Sequence, residues 1–497
     1  MDDHGFDVME ATIAGIHAAM AQGRLTARQL VQAYLDRIAA FDQAGPAINA
    51  VISLNPRALD EADALDRAYR SGGPVGPLHG VVLLIKDQVD VDGLPTTMGS
   101  VLFEGHMPGR DAFAIARLRA QGAIMLGKTT LGELGAGDTH GSLFGSTRNV
   151  FDLARTAGGS SGGSGAAVSA NFCTVAIGQE GFASIRRPAI WNGVAGMRPS
   201  AGLVSRRHVY GGWPTINGSL GPMARRVEDL ARVLDGMVGY DPQDPVTALG
   251  VGRVSGSFAA GLDVGALRGA RLGILREPMG FGTDPDSEDF ALVDAVFNRA
   301  VDELRDAGAE LVDPLVIPDL AALLATRARD MDEEAAMFAT YVAGSATAPF
   351  ATRAEAMASP RFAQVLRGAR ERWRAPASAE RHHAYLRARQ TLMIGLHDVM
   401  ARHRLDAIVH KAVEHQPTLI SEGLNPPYRD QTGAPHLNTF LIFVPSVVVP
   451  AGFTTAGLPA GITFLGRPYE DAAMLRLAYA YEQASMHRRV PAAVRGI

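Results

Sequence analysis

Three short runs of β-branched and aliphatic residues, VVLLI (81–85), AIMLG (123–127) and TVAIG (174–178), constrain the fold most. None alternates with polar residues, as a strand with one wet face would, so each reads as a strand buried on both faces. Between them lie helix-like segments, AFAIARLRAQG (112–122) and GSGAAVSANFC (163–173). Buried strands alternating with helices predict an α/β/α sandwich, in which helices cover a large mixed, mostly parallel central sheet.

The rest of the chain extends that reading. Residues 8 to 70 carry apolar positions at helical spacing (Ile13, Ile16, Leu25, Leu30, Tyr34, Ile38), with Thr26 an N-cap for ARQLVQAYLDRI. SGGPVGPLHG then ends the helical pattern. Many of the 55 glycines fall between about residues 72 and 222, where tight loops cross a core and sites are commonly assembled. From 236 to 435 long charged helical stretches dominate, and residues 440–497 return to strand-like runs (LIFV, SVVVPAG, AGITFLG) and a closing helix. We expect one domain over 1–497: N-terminal helices (1–75), a core (76–235), a variable helical insertion lining the substrate site (236–435), and C-terminal strands and helix that complete the core (436–497).

Charge and cysteine usage exclude several functions. With 47 basic against 52 acidic side chains the net charge is −5, which gives no electrostatic footprint for nucleic acid or anionic lipid. The single cysteine, Cys173, allows neither an internal disulfide nor a multi-cysteine metal site and is expected in the core. His382-His383 and the pair His410 and His415 lack an accompanying acidic ligand set, so no metal is expected and no cofactor is implied. The N-terminus, MDDHGFDVME, is acidic where a signal peptide is basic and then apolar. The most apolar stretch, Phe440 to Phe453, is interrupted by Pro445 and Pro450 and is too short to span a bilayer. The expectation is a cytoplasmic protein, monomer or homodimer, acting on a small molecule without nucleic-acid or membrane partners. Asn217-Gly218-Ser219 fits a glycosylation acceptor, but without a signal sequence it would not meet that machinery.

Two motif matches fail on context. GAIMLGKT (122–129) satisfies the phosphate-loop pattern, yet its four variable positions make a buried strand and not an amide cradle. GGSSG (158–162) satisfies the nucleophile-elbow pattern, but the preceding NVFDLARTA is no strand.

Only three of the 47 basic residues are lysine: Lys86, Lys128 and Lys411. Arginine stays protonated in proteins, so a proton-accepting base has to be lysine. Lys86 follows the apolar run of GVVLLIKDQ, where burial favours a neutral amine, although an ion pair beside Asp87 or a snorkelling side chain would read the same locally. The serines of RTAGGSSGGSGAAV include Ser160 and Ser161 and could equally cap a helix, and Ser184 in GQEGFASIRRPA has no local signature. Lys128 belongs to the GKTT turn and reads as structural; Lys411 could edge a pocket.

Together these segments resemble the amidase signature family of Ser-Ser-Lys hydrolases. LHGVVLLIKDQVDVDGLPTTMGS (78–100) is similar to its lysine segment, and GAIMLGKTTLGEL (122–134) to its second strand and turn. RTAGGSSGGSGAAVSA with SIRRPAIWNGVAGMRPS matches the signature proper, and PAGFTTAGLPAGITFLGRPYEDAAMLRLAYAYE the C-terminal segment. The resemblance implies the amidase signature fold, with Ser184 as acyl-forming nucleophile, Ser160 as bridging serine in a cis peptide and Lys86 as base. It also implies an oxyanion hole from the backbone of Gly181, Phe182, Ala183 and Ser184, supported by Ser161, Glu180 and Arg186. The sequence departs from the family in reading Glu180-Gly181-Phe182-Ala183-Ser184 where Asp-Thr-Gly-Gly-Ser is usual, and Val82 and Gln88 replace a common proline and asparagine. The implied activity is hydrolysis of an amide, with Phe182 favouring an aromatic or bulky group. The alternatives are carbamate or ester hydrolysis, a non-catalytic binding protein, and one component of a glutamine-dependent amidotransferase.

Overall fold

In the computed structural model, which describes residues 6–212 and 217–495, all three apolar runs are strands. Each starts one residue late and continues into the polar residues beyond, so that Lys86, Thr129 and Glu180 end them. Residues 1–5 of the acidic N-terminal run lie outside the described residues.

The three belong to an 11-stranded sheet. Its first half is β1 (Val51–Leu54), β2 (Val82–Lys86), β3 (Ile124–Thr129), β4 (Val175–Glu180), β5 (Ala195–Arg198) and β6 (Ser219–Ala224). The second half is β7 (Arg271–Leu275), β8 (Glu310–Leu315), β9 (Ala407–Lys411), β10 (Ser446–Phe453) and β11 (Pro459–Leu465). In space they run β1-β3-β2-β4-β6-β5-β10-β11-β9-β7-β8.

The sheet is mixed, as expected, but not mostly parallel. Parallel pairing is confined to β2 with its neighbours β3 and β4, and to β7 with β8 and β9. The remaining neighbours are antiparallel. Parallel strands need a long crossover, whereas β10 and β11 are joined by a tight turn in which Thr454 and Leu458 hydrogen-bond at 2.9 Å. Apolar runs reveal strands but not their direction.

Two local expectations also change. The stretch 236–435 is not only helical, because it supplies β7, β8 and β9; RLGIL and AIVHK are five-residue runs overshadowed by the helices Glu288–Asp306 and Ala379–Arg402. LIFV (441–444) is a turn rather than a strand, since Arg198 donates to the carbonyls of Ile442 (3.0 Å) and Val444 (3.3 Å).

At the N-terminus Thr26 caps the helix Ala27–Phe41 in a capping box with Gln29. The helix Gly162–Ser169 is buried along its whole length. Its glycines reflect close approach: a Cβ on Gly163 would collide with the Thr130 hydroxyl and the Ala50 carbonyl. This packing sets the GGSSGGS segment against the ends of β2 and β4. Among the described residues no helix is long and apolar enough to cross a membrane, and no group of three or more His, Cys, Asp or Glu could hold a metal ion. Cys173 is buried, its thiol pushed up to about 12 by desolvation.

Candidate active site

Lys86, at the end of β2, donates from Nζ to Ser160 Oγ (2.8 Å) and to the Gln179 carbonyl (3.1 Å). Ser160 Oγ in turn lies 3.0 Å from Ser184 Oγ. The three side chains thus form one continuous row. The Gly159–Ser160 peptide is cis. Lys86 is 0% exposed, Ser160 2% and Ser184 8%, so the row runs from the interior to the surface of a cavity. Burial holds the Lys86 amine well below the usual lysine range; the charge of Glu180 opposes that and Arg372 adds to it. Ser161 ties the row to the sheet, its hydroxyl donating to the Gln179 carbonyl (3.2 Å) and its N–H to the Ser184 carbonyl (3.1 Å).

Glu180 closes the loop that carries Ser184. Its carboxylate accepts the N–H groups of Ile185 (2.9 Å) and Arg186 (3.1 Å), and Arg186 Nε at 2.8 Å. Arg186 also donates to the Phe182 carbonyl (3.1 Å), fixing the backbone between Gly181 and Ser184. Among the described residues no protein acceptor takes the N–H groups of Gly181, Phe182, Ala183 or Ser184. A Cβ on Gly181 would meet nothing within 4 Å, which places that residue at open cavity.

Phe182 does not block this loop; its ring is packed away to one side. It stacks on His436 (4.9 Å between centroids, planes 17° apart) and meets Phe281 edge-on at 6.1 Å, while the Arg327 guanidinium lies 4.4 Å from its centroid. Desolvation lowers the His436 imidazole to about 4, with the charges of Arg327 and Arg186 acting in the same direction.

Sequence reasoning missed a second buried ion pair. Arg187 meets Asp138 at 2.5 Å and donates to the Gly159 carbonyl at 3.0 Å, bracing the peptide before Ser160. The doubled arginine of SIRRPA was the available signal for Arg187, whereas Asp138 sits in a loop without a motif. Gln88, in place of a common asparagine, bonds Gln179 (3.1 Å) and the Tyr210 carbonyl (2.6 Å) at the cavity edge.

The cavity measures about 470 Å³, and Phe182, Tyr210, Met337, Tyr385 and Tyr428 contribute apolar wall around Ser184. The other lysines take no part in it. Lys128 is buried against Asp87 (3.1 Å) and the Pro95 carbonyl (2.9 Å), and so is no phosphate-binding residue. Lys411 pairs with Asp294 at 2.7 Å over the rings of Phe290 and Phe297.

The comparisons agree with this architecture. The family model described as Amidase matches residues 29–475. The chain is 33% identical to the amidase-like component of the glutamyl-tRNA(Gln) amidotransferase of Chloroflexus aggregans, covering 97% of this chain and 98% of that one. It is 30% identical to a probable amidase of Arabidopsis thaliana, over 98% and 92% of the two chains. The crystal structure of native peptide amidase from Stenotrophomonas maltophilia superposes with a TM-score of 0.85 at 35% identity, covering 97% of this chain and 98% of that one. The chain therefore belongs to the amidase family, the amidase signature enzymes that hydrolyse C–N bonds.

Proposed function

We propose that this protein hydrolyses amides of small molecules bearing an aromatic or otherwise bulky group, through an acyl-enzyme on Ser184. The observation that carries the reading is the unbroken row from Lys86 through Ser160 to Ser184, with the lysine desolvated. Neutral Lys86 accepts the Ser160 proton while Ser160 accepts that of Ser184, whose oxygen attacks the carbonyl carbon. The oxyanion so formed faces the N–H groups of Gly181 to Ser184. One such donor is worth roughly 3–4 kcal/mol of transition-state stabilisation. As the C–N bond breaks, Ser160 passes a proton to the leaving amine and recovers one from Lys86. Water then attacks the ester carbonyl by the same relay, releasing the acid and restoring Ser184.

The aromatic wall around Ser184 supports the bulky substrate, and residues from 327 to 431 supply much of that wall, in keeping with one domain whose middle portion shapes specificity. Carbamates and esters present the same carbonyl to the same donors. The peptide amidase and the amidotransferase component show that relatives differ in what they act on. We place the activity in the cytoplasm, without a metal or organic cofactor.

Labelling with a fluorophosphonate or sulfonyl fluoride tests the nucleophile: a single adduct on Ser184 is expected, and no adduct across a range of pH sinks the hydrolase reading. Relative kcat/KM over aliphatic amides, anilides, carbamates and esters then ranks the substrates. Ammonia release from glutamine, together with copurification of a second protein, would favour the amidotransferase reading instead.

A further inference from the structure

The cavity wall beyond Phe182 carries more guanidinium charge than its carboxylates neutralise. Glu334 is bonded by Arg329 through both carboxylate oxygens and by Arg353 at 3.3 Å. Arg372 and Arg327 lie within the same electrostatic field, since Arg372 helps to hold the Glu334 carboxyl below its ordinary range and each depresses or is depressed by its cationic neighbours. Neither has a hydrogen-bonded or ion-paired carboxylate of its own among the described residues, and both line the cavity that holds Ser184. The other acids of this wall are engaged. Asp330 caps its own helix and approaches His382 at 3.5 Å, and Glu333 has a partner of its own.

Like charges held together without a counter-ion repel, and the arrangement is relieved by an anion entering between them. Arg327 lies over the ring of Phe182, two residues from Ser184, and the charge of Arg372 is felt at Lys86. An anion bound there sits on the same molecule as the carbonyl under attack. We propose that Arg327 and Arg372 form an anion-binding subsite and that the preferred substrates are amides carrying a carboxylate. The inference rests on the amidase reading above and narrows its substrate class. A planar guanidinium suits a carboxylate because it offers paired N–H donors.

Two matched pairs of anilides test it. Glutaric acid mono-4-nitroanilide against valeric 4-nitroanilide places the carboxylate on the acyl side. 4-Acetamidobenzoate against 4-methylacetanilide places it on the amine side. Calorimetric titration of all four into the Ser184→Ala protein decides the subsite, independent of turnover. Tighter binding of the carboxylate compound in at least one pair, by about ten- to a hundredfold, is expected. That preference should weaken in roughly 0.5 M KCl and collapse toward unity in Arg327→Gln and Arg372→Gln, with Arg372→Lys keeping part of it. Equal binding within both pairs, or a preference that survives both glutamine substitutions in proteins with native circular dichroism, overturns the subsite. Turnover of the same compounds by the unmutated protein decides the amidase reading separately: hydrolysis with no carboxylate preference in binding leaves an amidase without this subsite. Conversely, selective binding with neither turnover nor labelling of Ser184 leaves the anion site without the enzyme.

Discussion

The carboxylate of Glu180, the last residue of its strand, accepts the backbone N–H of Ile185, the residue after Ser184. One side chain thereby closes the loop from 180 to 185, and its second oxygen holds Arg186. The extra methylene of glutamate relative to aspartate is accommodated without losing either bond.

Glu180→Gln should expose the importance of that closure. It leaves Arg186 and Arg198 buried beside a neutral amide, and removing one partner of a buried pair costs about 3–5 kcal/mol. Urea unfolding should report a loss of that size, and kcat should fall as the loop donors lose their alignment. Glu180→Asp should recover part of both.

Lys86→Arg should cut kcat by about 10²- to 10⁴-fold, because a guanidinium cannot accept the serine proton. Lys86→Met, a neutral side chain of similar length, should be as inactive while keeping the native circular dichroism spectrum. In the unmutated protein kcat/KM should rise with pH through a value well below the ordinary lysine range and level off above it, because burial lowers the amine. The unfolded chain binds the proton more tightly, so this group also makes stability rise with pH across the interval between its folded and unfolded values. A rate that follows an unshifted lysine would contradict the assignment.

Ser160→Ala should break the row while leaving Lys86 and Ser184 in place. We expect kcat to drop by at least about 10²-fold with little change in melting temperature, because the hydroxyl is small and the surrounding backbone bonds remain. Reaction of Ser184 with a fluorophosphonate should slow in parallel. Near-normal turnover would show that Lys86 reaches Ser184 without the bridge.

His436 should make the loop sensitive to acid. Its imidazole is lowered to about 4 against an ordinary value near 6.5, so the unfolded chain takes up more protons between those limits. Stability is full above that window and is lost as pH falls through it, by roughly 3 kcal/mol from this group. His436→Phe preserves the stack on Phe182 without the titration. Comparing urea unfolding at pH 7 and pH 4, the variant should show a smaller acid loss by about that amount.

The parts that sequence revealed are those in which composition is forced by environment. A lysine after five apolar residues, glycines in GGSSGGS and a capping box at Thr26 each leave a local trace, because burial, close approach and capping select particular residue types. Strand direction leaves none, and so the antiparallel majority of the sheet was not legible. The wall of the cavity was also hidden. Arg327, Arg372 and His436 come from distant segments and converge only through the fold, and in a chain with 44 arginines no single arginine stands out. The pairing of Asp138 with Arg187 is of the same kind.

The sheet's order also bears on how the protein is made. Ser446–Phe453, nearly the last strand in the chain, lies between Ala195–Arg198 and Pro459–Leu465 and joins the two halves of the sheet. Until the ribosome has released it, Ala195–Arg198 on one side and Ala407–Lys411 on the other are open apolar edges. More than four hundred residues therefore wait, partly assembled, for the final hairpin. A nascent or C-terminally clipped chain exposes the surfaces that chaperones bind and that drive aggregation, so truncation near the C-terminus is a failure of the whole molecule rather than of its tail.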